Sequence, residues 1–283
     1  MTVVPDVAAD QALKARHRAL WALGDYTAVA TRIIPSLGPV LVDATGIGPG
    51  QRVLDVAAGA GNVALPAARA GAQVVASDLT PELLEAGRHL ASAQLPPEAS
   101  AAIEWREADA EALPFPDASF DAVVSCVGVM FAPHHQASAD ELVRVCRRGG
   151  TIGLVSWTPE GFIGHMFAAM KPYAAPPPAG AQPPPLWGAE EHVRGLLGER
   201  VSDLSMERRP LRVDQFADPA AFREFFKAYY GPTFSTYRGI GEDQDRVAEL
   251  DAALDDLVRR FDIGTDAATV MEWEYLLVTA HRA

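Results

Sequence analysis

The run RVLDVAAGAGNVAL, residues 52–65, decides how the rest of the chain is read. Its first half, RVLDVAA, is short, apolar and bounded by Gly50 and Gly59, as suits a strand buried on both faces. Its second half turns on Gly59-Ala-Gly61, where absent side chains let a backbone approach a ligand closely. A helix over Asn62–Ala70 follows, with Pro66 admissible only near its first turn. A glycine turn running from a strand into a helix N-terminus is a ligand cradle. With Ala64 the spacing G-x-G-x-x-A also fits a dinucleotide fingerprint, so the turn alone does not select a ligand.

Reading onward, AQVVASD (72–78) is a second buried strand. Thr80 is expected to cap the next helix, with Pro81 at its first position and Glu82 complementing its dipole. AAIEWRE (101–107) and FDAVVSCV (120–127) are the third and fourth strands, a helix spans about 137–146, Gly149-Gly150 stops it, and TIGLVSW (151–157) is the fifth strand. Strands alternating with helices indicate βαβ units on a parallel sheet. Upstream, residues 10–34 read as helical with a break at Gly24-Asp25. Downstream, seven prolines within 172–185 exclude regular structure and suit either a surface loop or a substrate-side insertion. VSDLSMERRPLRV (201–213) reads as a strand, Asp218-Pro219 opens an aromatic helix, 243–261 is an amphipathic helix, and MEWEYLLVTAHR (271–282) is a final strand.

Two acids stand at strand ends, where doubly wound sheets bind ligands. Asp78 lies 23 residues after Asp55 and suits the paired hydroxyls of a ribose. Asp109, in ADAEALPFPD (108–117), followed by a free backbone N–H, suits an adenine edge. Together they point to a nucleoside-type cofactor and leave nicotinamide and sulfonium nucleosides both open. The chain has 283 residues, enough for one large domain or one with an appendage. A net charge of −13 argues against nucleic acid as the main partner. The start, MTVVPDVAAD, lacks the pattern of a secretory signal, and no stretch approaches a membrane span. Cys126 and Cys146 form no metal-ligand spacing, so no metal is expected and a cytoplasmic setting is.

VLDVAAGAGNVAL, VVASDLTPELLEAGR, ADAEALPFPDASFDAVVS and RVCRRGGTIGLVSW, taken in order, resemble the class I S-adenosylmethionine (SAM)-dependent methyltransferases, near the ubiquinone/menaquinone-methyltransferase-like branch, over about residues 45–160. The flanks WALGDY (21–26), MFAP (130–133), SWTPEGFIG (156–164) and YYGPT (229–233) resemble small-molecule methyltransferases. The resemblance implies an α/β, doubly wound, Rossmann-like fold. Its seven-stranded, mostly parallel sheet would end in a reversed hairpin. An N-terminal helical lid (1–45), a SAM-binding core (46–160) and a Pro-rich and helical segment over the carboxyl edge that completes the sheet (161–283) would form one compact domain.

It also implies a site. The turn from Asp55 through Ala57 carries the cofactor, with Gly59 and Gly61 along its methionine part. Asp78 binds the ribose, Leu79 packs on the adenine, and Asp109 and Ala110 read the adenine edge. Ser125, Cys126 and Val127 run beneath the sulfonium, and Trp21 and Tyr26 close over it. S-adenosylhomocysteine is the implied product. Two positions depart from the family: Ala57 and Arg148 stand where it prefers glycine and proline.

Alignment of donor and acceptor is the protein's main task in such a transfer, and a base is needed only for an acceptor that must lose a proton. Of His17, His134, His135 and His165, the two that follow carboxyl-edge strands, His134 and His165, are the candidate bases. Adjacent histidines cannot share one helix face, so only one of His134 and His135 should point inward. Phe222–Tyr237 offers aromatics to roof an acceptor pocket. The expected acceptor is a small, partly apolar metabolite of secondary metabolism, polyketide, quinone-like or aromatic; a homodimer is left open. The alternatives are a SAM-binding enzyme that does not methylate, cyclase-like, and a nicotinamide-dependent oxidoreductase. Against the latter, no lysine has a Tyr-x-x-x-Lys partner.

Overall fold

The computed structural model describes residues 7–177, 180–265 and 268–283. Pro178 and Ala179, within the proline-rich stretch, and the extreme N-terminus lie outside the described residues. The strands are β1 (Arg52–Val56), β2 (Gln73–Asp78), β3 (Ile103–Glu107), β4 (Phe120–Cys126), β5 (Cys146–Trp157), β6 (Val201–Val213) and β7 (Met271–Arg282). They form one seven-stranded sheet in the order β3-β2-β1-β4-β5-β7-β6. The first five are parallel, and β7 runs antiparallel to both β5 and β6. Strand order reverses between β1 and β4, so the loops after these two strands part and leave a crevice at their carboxyl ends.

Helices α1 (Val7–Trp21), α2 (Tyr26–Arg32) and α3 (Leu37–Thr45) precede the sheet. Between strands lie α4 (Ala64–Arg69), α5 (Pro81–Gln94), α6 (Pro97–Ala101), α7 (His135–Val145), α8 (Phe162–Met170) and α9 (Glu190–Leu197). Helices α10 (Pro219–Tyr229), α11 (Gly231–Ile240) and α12 (Gln244–Phe261) connect β6 to β7. Among the described residues no helix is long and apolar enough to cross a membrane.

The inner strands are buried on both faces, with Val53, Leu54, Val56, Val123 and Val124 fully inaccessible. Glycines set two close approaches. A Cβ on Gly153 of β5 would lie 2.3 Å from Thr45 Cγ2, so glycine lets α3 lie directly on the sheet. A Cβ on Gly38 would lie 1.7 Å from the carbonyl oxygen of Asn62, which sets α3 against the turn after β1.

Two local expectations are corrected. Thr80 does stand at the N-cap of α5, but its hydroxyl is buried without a partner; Asp78 supplies the carboxylate that accepts the Thr80 N–H. Gly149-Gly150 does not end a helix. Helix α7 stops at Val145, β5 begins at Cys146, and Gly149 takes φ +68° where the β4–β5 register slips.

Candidate active site

The turn after β1 is fastened to the end of β2. Ala58 N–H donates to the Ser77 carbonyl (2.9 Å) and Gly59 N–H to Asp78 Oδ2 (2.8 Å). Asp78 also accepts from Thr80 N–H at Oδ1 (2.8 Å). A carboxylate offers about four acceptor positions, so roughly two remain unspent on a buried group facing a cavity. Burial pushes its pKa up, against the pull of the Thr80 and Gly59 N–H groups.

That cavity, about 670 Å³, lies in the crevice at the strand switch. Its walls include nine of the residues expected from sequence: Trp21, Tyr26, Ala57, Gly59, Asp78, Leu79, Asp109, Ala110 and Val127. Gly59, at φ +55°, presents bare main chain to it, the nearest atom to an added Cβ being Tyr26 Cε1 at 4.0 Å. Gly128, across the crevice, abuts the Ala57 carbonyl so closely that a Cβ would sit 2.3 Å from that oxygen.

Four expected residues lie elsewhere. Asp55 is buried and accepts the Ala64 N–H (2.9 Å) at the start of α4; burial raises its pKa to about 8 while that N–H pulls it down. Gly61 makes room for packing, since a Cβ there would lie 2.7 Å from the Trp105 ring. Ser125 donates to the Val56 carbonyl (2.7 Å) and accepts the Val129 N–H (2.8 Å), tying β4 to β1. Cys126 meets the Asn62 amide (3.8 Å), and burial raises its thiol pKa.

Neither candidate base lines the cavity. His134 Nδ1 is paired to Glu111 (2.9 Å), whose other oxygen accepts the His134 N–H (2.7 Å). His165 lies on α8 with its ring 5.4 Å from that of Phe261. Of the adjacent histidines it is His135 that is fully buried, its Nδ1 2.9 Å from His192 Nε2. The histidine on the cavity wall is His17, whose pKa is lowered by burial and by Lys14.

Sequence reading passed over Lys14 as a site residue. Its ammonium bonds Asp109 Oδ1 (3.0 Å) and Glu111, fixing α1 to the loop after β3. Burial raises the Glu111 pKa, but the bonds from Lys14 and His134 outweigh this and hold it below the ordinary value. The signal was present: Lys14, His17 and Trp21 follow i, i+3, i+7 spacing, one face of one helix. Asp10, Glu111 and His134 each bring a potential metal-ligand atom within 4.8 Å of the others, but the Lys14 ammonium already supplies the cation against Glu111.

Two residues on the cavity are strained. Ala57 (φ +53°) and Val127 (φ +52°) both adopt the left-handed conformation, which is a genuine outlier for a β-branched side chain. Such strain collects at functional sites. Around them Trp21 stands edge-on to Phe131 (4.6 Å) and to Tyr26 (5.3 Å).

A family model described as "Methyltransferase domain" matches residues 54–154. The uncharacterised protein Rv1405c of Mycobacterium tuberculosis is 50% identical over 282 residues, covering 100% of both chains. A demethylmenaquinone methyltransferase of Renibacterium salmoninarum is 41% identical over 113 residues, 40% of this chain and 44% of that one. Among solved structures, the YcgJ protein of Bacillus subtilis matches with a TM-score of 0.56 at 18% identity, over 87% of this chain and 98% of that chain. The chain thus carries a methyltransferase domain over residues 54–154, on a fold shared with the YcgJ protein, and belongs with full-length relatives such as Rv1405c.

Proposed function

We propose that the chain methylates a small, partly apolar metabolite with SAM, in the cytoplasm and within secondary metabolism. The observation that supports this most is the convergence on one cavity of Asp78 and Asp109, from consecutive strand ends, with bare main chain at Gly59. Asp78 has unspent lone pairs for the ribose hydroxyls, and Leu79 offers an apolar face to the adenine. Asp109 and Ala110, on the wall of the same cavity, would read the adenine edge, and Trp21 and Tyr26 line it from the N-terminal helices.

SAM, when bound, supplies a methyl group already activated by its sulfonium. The protein's part is to align the reactants and exclude water. Gly59 and Gly128 bring main chain to the floor, while the Trp21, Tyr26 and Phe131 rings close the top. His134 and His165 are given no proton-transfer role, since neither faces the cavity.

Calorimetric titration tests the site. SAM and S-adenosylhomocysteine should bind the wild type at micromolar affinity, and Asp78→Ala and Asp109→Ala should each weaken binding about tenfold or more, as expected for lost hydrogen bonds on a charged acceptor. Unchanged affinity in both variants would overturn the assignment.

A further inference from the structure

Helix α1 lies on the molecule with little of it covered: among its residues 10–21 only Leu13 is fully buried. The same helix nevertheless turns a lysine inward, the Lys14 side chain being 12% exposed. Lysine is seldom buried unless its charge is met. Here it is met by two carboxylates, Asp109 and Glu111, and both Lys14 and Asp109 line the cavity.

The ammonium stands astride the Asp109 carboxylate, 3.0 Å from each oxygen. Asp109 Oδ1 also accepts the Glu111 N–H (2.9 Å). An aspartate turns about two side-chain bonds. The Glu111 N–H fixes one oxygen and the ammonium fixes the other, so together they set the plane of the carboxylate. Of its roughly four acceptor positions about one stays open, on Oδ2, and that is what a single amine hydrogen needs. Lys14 is itself anchored. Glu111 takes its ammonium and is held in turn by the His134 main-chain N–H (2.7 Å) and by His134 Nδ1 (2.9 Å). A carboxylate kept below its ordinary pKa only accepts, so that Nδ1 carries the proton. The series His134–Glu111–Lys14–Asp109 thus joins the start of α7, the loop after β3 and α1, and it ends on the cavity wall.

Resting on the cofactor reading above, we propose that Lys14 is a positioning residue for purine selectivity: by fixing the Asp109 carboxylate it makes the site take a 6-amino purine and refuse a 6-oxo purine. An amine hydrogen meets the open acceptor on Oδ2. A 6-oxo group would set a carbonyl oxygen against a carboxylate oxygen. The ammonium is no substitute donor, because its three hydrogens have Glu111 and the two Asp109 oxygens to meet. A site built to accept from an N–H discriminates strongly against an analogue that lacks it. Without Lys14 the carboxylate turns on its remaining bond, and its repulsion by Glu111 goes uncompensated. Affinity and selectivity then fall together. A lysine that merely stapled α1 would change the affinity for either purine alike.

The probes are S-adenosylhomocysteine and S-inosylhomocysteine, which differ only at the purine 6-position and the adjoining N1 hydrogen. Both are titrated calorimetrically into the full chain. Wild type should bind the adenosyl compound at least tenfold more tightly. In Lys14→Met its affinity should fall about tenfold, and the ratio between the two compounds at least threefold. The Ala110 N–H toward N1 supplies a share of the ratio that survives. Lys14→Arg keeps a cationic donor and should hold the ratio within threefold of wild type. Arg18→Met removes the exposed pair to Glu107 from the same helix and should leave the ratio unchanged. Circular dichroism checks folding, and Lys14→Gln replaces Lys14→Met if the latter does not fold. A ratio within threefold of wild type in the folded uncharged variant overturns the proposal, as does an equal drop in Arg18→Met. Tighter adenosyl binding without the lysine also overturns it, since the ammonium would then be occupying the place of the adenine. In all three cases a discriminating wild type leaves the cofactor reading standing. Wild type that binds both compounds alike, or neither, overturns that reading and the proposal with it.

Discussion

At the residue scale, Ala57 is the most informative departure from the family pattern. Its place in the left-handed region costs an L-residue roughly 1–2 kcal/mol that glycine does not pay. Glycine gives back about 0.4–1 kcal/mol through the entropy of the unfolded chain. Ala57→Gly should therefore be neutral to about 1.6 kcal/mol stabilising in urea denaturation. A loss above 1 kcal/mol would mean that the methyl group is packed rather than strained. The same methyl lies near Gly128, where an added Cβ would come 2.9 Å from it and 2.3 Å from the Ala57 carbonyl oxygen. Alanine at 57 and glycine at 128 are thus one arrangement, in which the smaller residue sits where the two loops come closest.

At the element scale, the lid is held by charge. Lys14 of α1 joins Asp109 and Glu111, and Arg18 one turn later reaches Glu107 (2.8 Å) on the surface. The exposed pair contributes little, whereas Lys14 and Glu111 are largely buried. Lys14→Met leaves two neighbouring carboxylates without their cation. It should cost about 1–3 kcal/mol, the range for a charged hydrogen bond left unmade. It should also speed amide exchange along residues 10–21 while β1 and β4 stay protected. Unchanged exchange there would show that packing of Trp21, not the ammonium, fixes the lid. The strands themselves were legible because buried runs between glycines leave few choices: β6 and β7 begin and end where the alternation does. The lid contact was not legible in the same way. Lys14 and Asp109 are 95 positions apart, and only the fold brings them together. Gly61 shows the converse limit, since its spacing fits a ligand turn while its absent side chain serves the Trp105 ring.

At the scale of the whole molecule, a histidine pair, His135 fully buried and His192 partly so, joins the sheet-covering α7 to α9, which leads into the final hairpin. His135 Nδ1 and His192 Nε2 are 2.9 Å apart, so one ring donates and the other must be neutral to accept. Burial, reinforced by His192, lowers the His135 pKa from 6.5 to about 4, and burial lowers that of His192 as well. Both folded values lie below the unfolded one, so the unfolded chain binds more protons in this window. Their contribution to stability is therefore fully present above about pH 6.5 and declines as pH falls toward 4. The limit is about 1.4 kcal/mol per pH unit for each group. Asp55 and Asp78 act with the opposite sign, since raised carboxyl values make their contribution decline as pH rises from 3.8. A wild-type profile alone mixes the two. The difference between wild type and His135→Phe cancels the aspartates and leaves the contribution of His135. In thermal melts from pH 7 to pH 4, wild type should lose ground to the variant steadily below pH 6.5. A constant difference across that range would mean that the histidines protonate without separating α7 from α9.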